Sequence, residues 1–296
     1  MLTEDQRTLA RQVFLEDGPT PRLCIDYVKD LPALKEHRDN VRRAISNLTM
    51  DDLFSAVRMG ETLDMELSHS IILVKRDNVD DLCRLTIEPI SLSVRQLLKK
   101  ELMKAKRKER LQAYRLTTRV KNSKMLAGLF FESLAQLQLQ EEVTLNLVPM
   151  VEVPAPRGGN AKWESQPSSR AGAPFPIQFK PADTVEYDES KLSGFQPGVF
   201  CVPMFSNQVA FDSFVLVDQG LYIFQFSISA SHEITEGVTK FFSQPTLEEK
   251  LQGTEWRFVF VISPGSSIVC SESNVAKLKG FWDRARLFTA EIDVHK

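Results

Sequence analysis

Three polar residues stand inside a stretch of the sequence, Phe211 to His232, that is otherwise strongly apolar. The stretch reads FDSFVLVDQGLYIFQFSISASH, and its two apolar runs joined by Asp218-Gln219-Gly220 predict a β-hairpin inside a covered sheet. Because side chains alternate along a strand, a two-residue turn would bring Asp212 level with Gln225 or Ser227. Burying an unpaired carboxylate is costly. Asp212 is therefore either a functional acid or a structural one that holds a loop through backbone amides.

A second acid, Glu132, falls on the apolar side of a predicted helix. The helix is KMLAGLFFESLAQLQLQ, with Ser123 as its capping residue. Apolar residues stand at helical spacing from Glu132 on both sides: Met125, Gly128, Leu129, Ala135 and Leu139. A charged residue rarely faces a core without a partner. Glu132 is therefore aimed at whatever this helix packs on.

One segment is strongly basic, although the net charge of the chain is only −2. Between Arg95 and Lys121 there are eleven Lys or Arg residues and two Glu residues, in what we predict to be one long helix capped by Ser93. The segment is either a solvated helix face or a surface that contacts phosphates or directs the protein to the nucleus. The candidate phosphate contacts are Lys99, Lys100, Lys104, Lys106, Arg107, Lys108 and Arg110.

Composition restricts the class of protein. A hydrophobic fraction of 43% argues against a disordered chain, and no apolar run approaches the roughly 18 residues that would span a membrane. The N-terminus is charged and does not resemble a signal peptide. The four cysteines are scattered without a CxxC pair, which is typical of core thiols in an intracellular protein: Cys24, Cys83, Cys201 and Cys270.

Periodicity and capping residues predict the remaining elements. Helices are expected over Thr3–Glu16, after Pro32, from Thr49, near Glu233–Phe242, near Leu247–Leu251 and from Asn274 to Trp282. Strands are expected at Ser70–Val74, Leu85–Leu92, Glu142–Val151, Val185–Tyr187, Val199–Val202 and Arg257–Ile262. Pro154–Pro176 is rich in Pro, Gly, Ser and Ala, which predicts a mobile surface loop. We expect a helical N-terminal region over 1–92, a basic connecting helix over 93–122 and an α/β domain over 123–296.

The order of elements from residue 123 to 263 resembles the restriction-endonuclease-like PD-(D/E)xK superfamily. More narrowly, this region is similar to the nuclease-related domain of Crinkler effectors and retrotransposon hot-spot proteins. The residues that carry the resemblance are GLFFES with Glu132, AFDSF with Asp212, and LYIFQFSISASHEI with Gln225, Ser227 and His232. GPTPR, Gly18 to Arg22, is similar to the Gly-x-Pro-Arg signature in the helical lid of AAA-type ATPases, which often precede that nuclease domain.

The resemblance implies phosphodiester hydrolysis assisted by Mg²⁺ or Mn²⁺, in which the ion generates hydroxide and neutralises developing charge. Asp212 would be the central ligand and Glu132 an accessory ligand, and we expect their carboxylates to lie about 5–8 Å apart, within reach of one metal ion. Gln225 stands where the family has its second acid, and Ser227 stands where it has a Lys. His232 would be either an acid–base group or a hydrogen-bonded anchor.

Several departures from the family affect the expected chemistry. A Gln oxygen brings no negative charge, so we expect the metal to be held weakly. Ser227 supplies no cation, and Lys240 in the following helix is a candidate replacement. No GxxxxGK[ST] phosphate loop is present, so no ATPase activity is expected. The Crinkler translocation header is also missing, and we expect the chain to be a fragment or shortened copy of a larger architecture.

Together these observations predict an α/β protein, with a restriction-endonuclease-like mixed sheet flanked by helices and a small helical N-terminal subdomain. Two functions stay open. One is a metal-dependent nuclease, and the other is an inactive nuclease-fold module that binds nucleic acid or a partner protein. A decayed fragment without activity is a third outcome. The expected partners are DNA rather than RNA and a protein bound through the N-terminal region, with no membrane, in an intracellular or nuclear location.

Overall fold

A computed structural model shows a mixed α/β protein with a helical N-terminal region and a large curled mixed sheet flanked by helices. The structure describes residues 2–50, 52, 70–78, 81–120, 123–153, 162–165, 173–187, 195–203, 210–217, 220–271 and 285–296. The chain divides into two compact units, Met1–Ser133 and Leu134–Lys296. The predicted fold class is confirmed.

The N-terminal unit is built mainly from helices. They are α1 (Glu4–Glu16), α2 (Pro21–Ile25), a 3₁₀ turn (Tyr27–Lys29), α3 (Leu31–Ser46), α4 (Leu92–Lys104), α5 (Arg107–Arg119) and the first part of α6 (Lys124–Gln140). An antiparallel pair of strands, β1 (Ile72–Asn78) and β2 (Asp81–Pro89), belongs to the same unit. The helices predicted at the N-terminus and after Pro32 are confirmed, as are both strands, although the strands run over different bounds.

Capping and turn residues explain where the first helices begin and end. Thr3 and Gln6 form a capping box at the start of α1, and the Asp30 side chain accepts from the Ala33 amide at the start of α3. Gly18 follows α1 with φ 114°, and a Cβ there would lie 2.8 Å from Cγ1 of Ile90. Both the positive φ and this close approach require glycine. The Gly-x-Pro-Arg segment therefore has a local structural reason for its glycine.

The basic segment is two helices rather than the one long helix that we predicted. Helix α4 begins after Ser91, whose hydroxyl accepts from the Val94 amide, so the predicted Ser93 cap was wrong. The chain leaves helical conformation at Ala105 (ψ 150°) and Lys106 (ψ 144°). A new first turn then forms because the Glu109 carboxylate accepts from the Lys106 amide at 3.2 Å. The KAKRKER run therefore spans a break between helices.

The C-terminal unit contains the sheets. The strands are β3 (Val143–Pro149), β4 (Val151–Val153), β5 (Lys162–Glu164), β6 (Phe175–Phe179), β7 (Asp183–Tyr187), β8 (Val199–Pro203), β9 (Ser213–Val217), β10 (Gly220–Phe226), β11 (Ser231–His232), β12 (Trp256–Ile262), β13 (Val269–Ser271) and β14 (Ala285–Glu291). Eight strands form one sheet in the order β6-β3-β14-β12-β10-β9-β8-β7, and a smaller sheet has the order β11-β13-β5-β4. Helices α7 (Gly237–Phe242) and α8 (Pro245–Glu248) follow the hairpin.

The predicted hairpin is β9 and β10, and it lies in the interior of the large sheet. Its strands are antiparallel, with Val217 paired to Gly220 and Ser213 paired to Phe224. Every residue of β10 is buried, as the continuous apolar run predicted. Strand β10 also pairs in parallel with β12, and β12 pairs in parallel with β14. Phe211 and Phe214 anchor the hairpin on the rings of Phe241 and Phe242, with centroids 5.1–5.6 Å apart.

Some elements were not predicted, and some predictions concern residues that the structure does not describe. Strands β6 and β14 are absent from the sequence-based assignment, and β5 lies inside the segment predicted to be a loop, Pro154–Pro176. Most of the rest of that loop, the helix expected from Asn274 and all but the start of the helix expected from Thr49 lie outside the described residues. None of the described helices is long and apolar enough to cross a membrane.

Candidate functional site

Asp212 and Gln225 lie side by side on the hairpin, as the predicted register requires. Asp212 is half-buried one residue before β9, and its Oδ2 accepts from Gln225 Nε2 at 2.6 Å and from the Phe226 backbone amide at 2.7 Å. The Asp212 amide in turn donates to the Phe224 carbonyl at 2.8 Å. The carboxylate therefore fixes the point where the chain enters the hairpin, which is the structural role that the sequence left open.

Three buried polar atoms around Asp212 have no hydrogen-bond partner in the protein. They are Gln225 Oε1, Ser213 Oγ and Gln136 Oε1. Gln136 is fully buried, and its Nε2 donates to the Asp212 carbonyl oxygen at 3.4 Å. Gln225 is 7% exposed, and its nitrogen faces the carboxylate while its oxygen is left without a donor. A buried acceptor without a donor is uncommon.

Ser227 and His232 are placed differently from that pair. The Ser227 hydroxyl accepts from the Ser229 amide at 3.0 Å and its amide donates to the Val261 carbonyl, so it shapes the turn after β10. His232 lies in the smaller sheet, beside Cys270 on β13. Its ring stands edge-on to Phe260, at 5.8 Å between centroids, and Phe260 is the neighbour of Gln225 on β12. An apolar ring therefore contacts His232 at the position beside Gln225.

Glu132 is an ion-paired buried acid in the N-terminal unit. It is 4% exposed, on the apolar side of α6 as predicted. Lys99 and Arg95, both on α4, form salt bridges to its two carboxylate oxygens, the Arg95 contact measuring 3.4 Å. Glu132 belongs to one compact unit and Asp212 to the other, so their convergence on a metal ion stays a prediction.

The donor set around Asp212 falls short of a divalent-metal centre. It offers one carboxylate, one of whose oxygens already accepts two N–H donors, and an amide that turns its nitrogen toward that carboxylate. Mg²⁺ sites in proteins use oxygen ligands, with carboxylates supplying the charge. Among the described residues, no group of three or more His, Cys, Asp or Glu side chains is placed to hold a metal. Lys240, the candidate replacement for the lysine that Ser227 does not supply, is 79% exposed and faces Glu236, so it does not join Asp212 and Gln225.

The seven basic residues predicted to contact phosphates fall into distinct environments. Arg110 is 3% exposed, and its guanidinium donates to the Ser133 carbonyl at 3.2 Å and to the Met103 sulfur. Burial lowers the pKa of Arg110 from its ordinary value, and the nearby charge of Arg107 acts in the same direction. Lys99 is engaged by Glu132. The exposed members are Lys100, Lys104, Lys106 and Lys108, of which Lys104 forms a salt bridge to Glu101.

Helix α5 separates a buried face from an exposed cationic face. Its buried residues are Arg110, Ala113, Tyr114 and Thr117. Four of its five exposed residues, Lys108, Gln112, Arg115 and Arg119, recur at intervals of four, three and four, and the fifth is Thr118. At 3.6 residues per turn, the three cations project within about 40° of one another, opposite the buried face. We call Lys108, Gln112, Arg115 and Arg119 the α5 row.

The α5 row was missed as a unit by the sequence-based list, which ended at Arg110. The sequence contains the pattern that predicts this row. Lys108, Arg115 and Arg119 recur with the helix period, and Ala113 and Tyr114 fall between them on the other side of the helix. The candidate phosphate contacts were chosen where Lys and Arg are dense in the sequence, without regard to which of them share one face of the helix. The list therefore included the buried Arg110 and omitted two exposed arginines.

Comparisons with protein-family models, with curated proteins and with solved structures give no match for this chain. The arguments about function therefore depend on the geometry of its own residues.

Proposed function

We propose that this protein is a nucleic-acid-binding module of the nuclease-like kind that the sequence resembles, and that it binds phosphates through the α5 row without hydrolysing them. The observation that supports this proposal most strongly is the exposed alignment of Lys108, Arg115 and Arg119 on one face of α5. Lys and Arg side chains that neutralise phosphates release condensed counterions, which supplies most of the affinity in sequence-independent binding.

The helix is well suited to holding these cations in place. Its opposite face is anchored in the N-terminal unit, where Tyr114 packs against Phe131 with ring centroids 6.0 Å apart. Arg110 and Thr117 are bonded to backbone carbonyls on the same buried side. A helix that is fixed on one face presents its exposed charges at a constant spacing. Less backbone and side-chain conformational entropy is therefore lost on binding.

The environment of Asp212 supports binding without chemistry. Its carboxylate is bonded to the Phe226 amide and the Gln225 side chain. Gln225 and Ser227 replace the second acid and the lysine of active relatives. Residues whose polar atoms already hold the hairpin together are poorly placed to activate water.

The test is a titration of labelled nucleic acid with the full chain and two charge-reversal variants. The first carries Lys108→Glu, Arg115→Glu and Arg119→Glu. The matched control carries Lys35→Glu, Arg42→Glu and Arg43→Glu, which reverse three exposed cations of α3 and change the net charge equally. We expect the row variant to lose affinity by on the order of 100-fold near 0.1 M salt and the control to stay within about threefold.

Equal losses in both variants would mean that binding follows net charge rather than the α5 row. No binding by the unaltered chain to any nucleic acid would refute the proposed function. Circular dichroism and the thermal midpoint of each variant establish that the fold is retained.

Metal-dependent hydrolysis is a second candidate, favoured by one observation. Gln225 Oε1 is a buried oxygen acceptor without a protein donor, next to the carboxylate of Asp212. In the superfamily that the sequence resembles, the acid at the position of Asp212 is the central ligand of Mg²⁺ or Mn²⁺. If the chain cleaves DNA with Mg²⁺ or Mn²⁺ and a folded Asp212→Asn variant does not, this candidate replaces the first. Cleavage that survives Asp212→Asn would place the chemistry elsewhere.

A further inference from the structure

We propose that the α5 row binds the phosphate backbone of double-stranded nucleic acid, independently of base sequence, rather than single strands. This inference rests on the proposed function and specifies its substrate. The row extends over about 16 Å, because eleven residues separate Lys108 from Arg119 in a helix that rises 1.5 Å per residue. That length corresponds to about five base-pair steps of duplex DNA at 3.4 Å per step.

The exposed chemistry of the two basic helices favours duplex over single strands. Single-strand sites combine a basic track with aromatic side chains on which successive bases stack. Tyr114 is the one aromatic residue in the sequences of α4 and α5, and it is 6% exposed and packed against Phe131. The exposed side chains of α5 can bond phosphates, and none of them carries an aromatic ring on which successive bases could stack. A straight row of cations fits a backbone whose phosphates are already fixed by the double helix.

The same residues argue against reading of base sequence. The cations of the row stand on one face of a straight helix, with Gln112 as the one uncharged member. Phosphate contacts position a protein on nucleic acid but do not discriminate between sequences. Affinity that comes from phosphate contacts should therefore be equal for duplexes of different sequence and should fall steeply with salt.

The experiment measures affinity against salt concentration for a mixed-sequence 30-base-pair DNA duplex and for each of its single strands. With three phosphate contacts, the duplex should give a slope of log K against log[salt] of about −2.7, equivalent to a roughly 40-fold loss between 50 and 200 mM salt. The row-neutral variant, which carries Lys108→Gln, Arg115→Gln and Arg119→Gln, should lose most of that slope. Duplex binding should exceed single-strand binding by at least about tenfold.

A gain-of-charge variant provides the sharper test. Gln112→Lys adds a fourth cation in line with the other three and should steepen the duplex slope by about 0.9. Ser46→Lys adds the same charge at an exposed position on α3 and should leave the slope unchanged. An equal effect of both variants would overturn the assignment of the contact to the row.

The outcomes separate this inference from the proposed function. Tighter binding to single strands, lost in the row-neutral variant, would overturn the duplex inference and leave nucleic-acid binding intact. A duplex affinity that varies more than about tenfold with base sequence would overturn sequence independence alone. If neither form binds, both the inference and the proposed function fail.

Discussion

The hairpin pair and the α5 row place polar groups in opposite situations. At the hairpin, the Asp212 carboxylate is half-buried and accepts from Gln225 and from the Phe226 amide. On α5, Lys108, Arg115 and Arg119 are exposed on the face opposite the buried one. The sequence drew attention to the acid because it looked out of place, yet the structure gives it protein partners. The comparison teaches that a misplaced polar residue indicates a constraint, which can be structural as easily as functional.

The same contrast holds within the N-terminal unit. Lys99 and Arg95 are occupied by Glu132, whereas the α5 row projects from the other basic helix. Charge density along the sequence did not distinguish these two groups of cations. Their surroundings distinguish them, because Lys99 and Arg95 face a buried carboxylate whereas the α5 row is exposed, and the following predictions test that difference through stability.

The largest expected effect is from Asp212→Ala. Removal of the carboxylate leaves the Phe226 amide and the Gln225 side-chain amide without an acceptor beside a buried strand, which should lower the free energy of unfolding by about 3–5 kcal/mol. Asp212→Asn retains an acceptor oxygen and should cost about half as much. Urea denaturation measures both, with Asp183→Ala at the exposed start of β7 as the control. A change below about 1 kcal/mol for Asp212→Ala would show that the acid is not needed for the fold.

Glu132→Gln should have the next largest effect. The substitution keeps the shape of the side chain but removes the charge that Lys99 and Arg95 face, and we expect a loss of about 2 kcal/mol in the free energy of unfolding. Glu101→Gln is the matched control, because Glu101 pairs with the well-exposed Lys104 and should change stability by less than about 0.5 kcal/mol. Equal losses for the two variants would contradict the distinction between buried and exposed pairs.

Alkaline pH should weaken the C-terminal unit through its buried thiols. Burial raises the pKa of Cys201 to about 12 and that of Cys270 to about 11, against an ordinary value of 9.0. Their stabilising contribution is therefore complete below the unfolded pKa and is lost as pH rises toward the folded values. We expect a decrease of about 1 kcal/mol between pH 8 and 9. A Cys201→Ala, Cys270→Ala variant should show a flatter pH profile, and an unchanged profile would exclude the thiols as the cause.

The smallest expected effect on stability is that of the row-neutral variant. Its three side chains are exposed, so their replacement by Gln should change the free energy of unfolding by less than about 0.5 kcal/mol. A loss above about 1.5 kcal/mol would mean that the row helps to hold the N-terminal unit together. The row would then stabilise the fold, as Asp212 is expected to do, and the two regions would no longer differ in this respect.

The sequence predicted those features that are determined by residues close together in the chain, and it did not predict features that depend on distant residues. The hairpin register followed from strand alternation and a two-residue turn, which predicted either Gln225 or Ser227 beside Asp212. The hydrogen bond from Gln225 to Asp212 identifies Gln225. Strand β14, ARLFTAE, includes the charged residues Arg286 and Glu291, and its burial comes from pairing with β12. No local pattern specifies that pairing.

The candidate sites show the same limit. The buried position of Glu132 followed from helix periodicity, but its partner Lys99 lies 33 residues earlier and is reached only through helix packing. The break between α4 and α5 depends on the backbone at Ala105 and Lys106, neither of which is a helix breaker by type. The α5 row could have been predicted from periodicity alone. The orphaned oxygen of Gln225 could not, since it depends on which end of the amide faces Asp212.

The most direct test of the central claim is the affinity of the full chain for duplex DNA, measured in Mg²⁺ and in EDTA at equal ionic strength, for the unaltered protein and the row-neutral variant. We predict that the affinity of the unaltered protein is no higher in Mg²⁺ than in EDTA, because Mg²⁺ competes for the same phosphates, and that the variant loses on the order of 100-fold in EDTA. Binding that requires Mg²⁺ and is unaffected by neutralising the row would contradict the account.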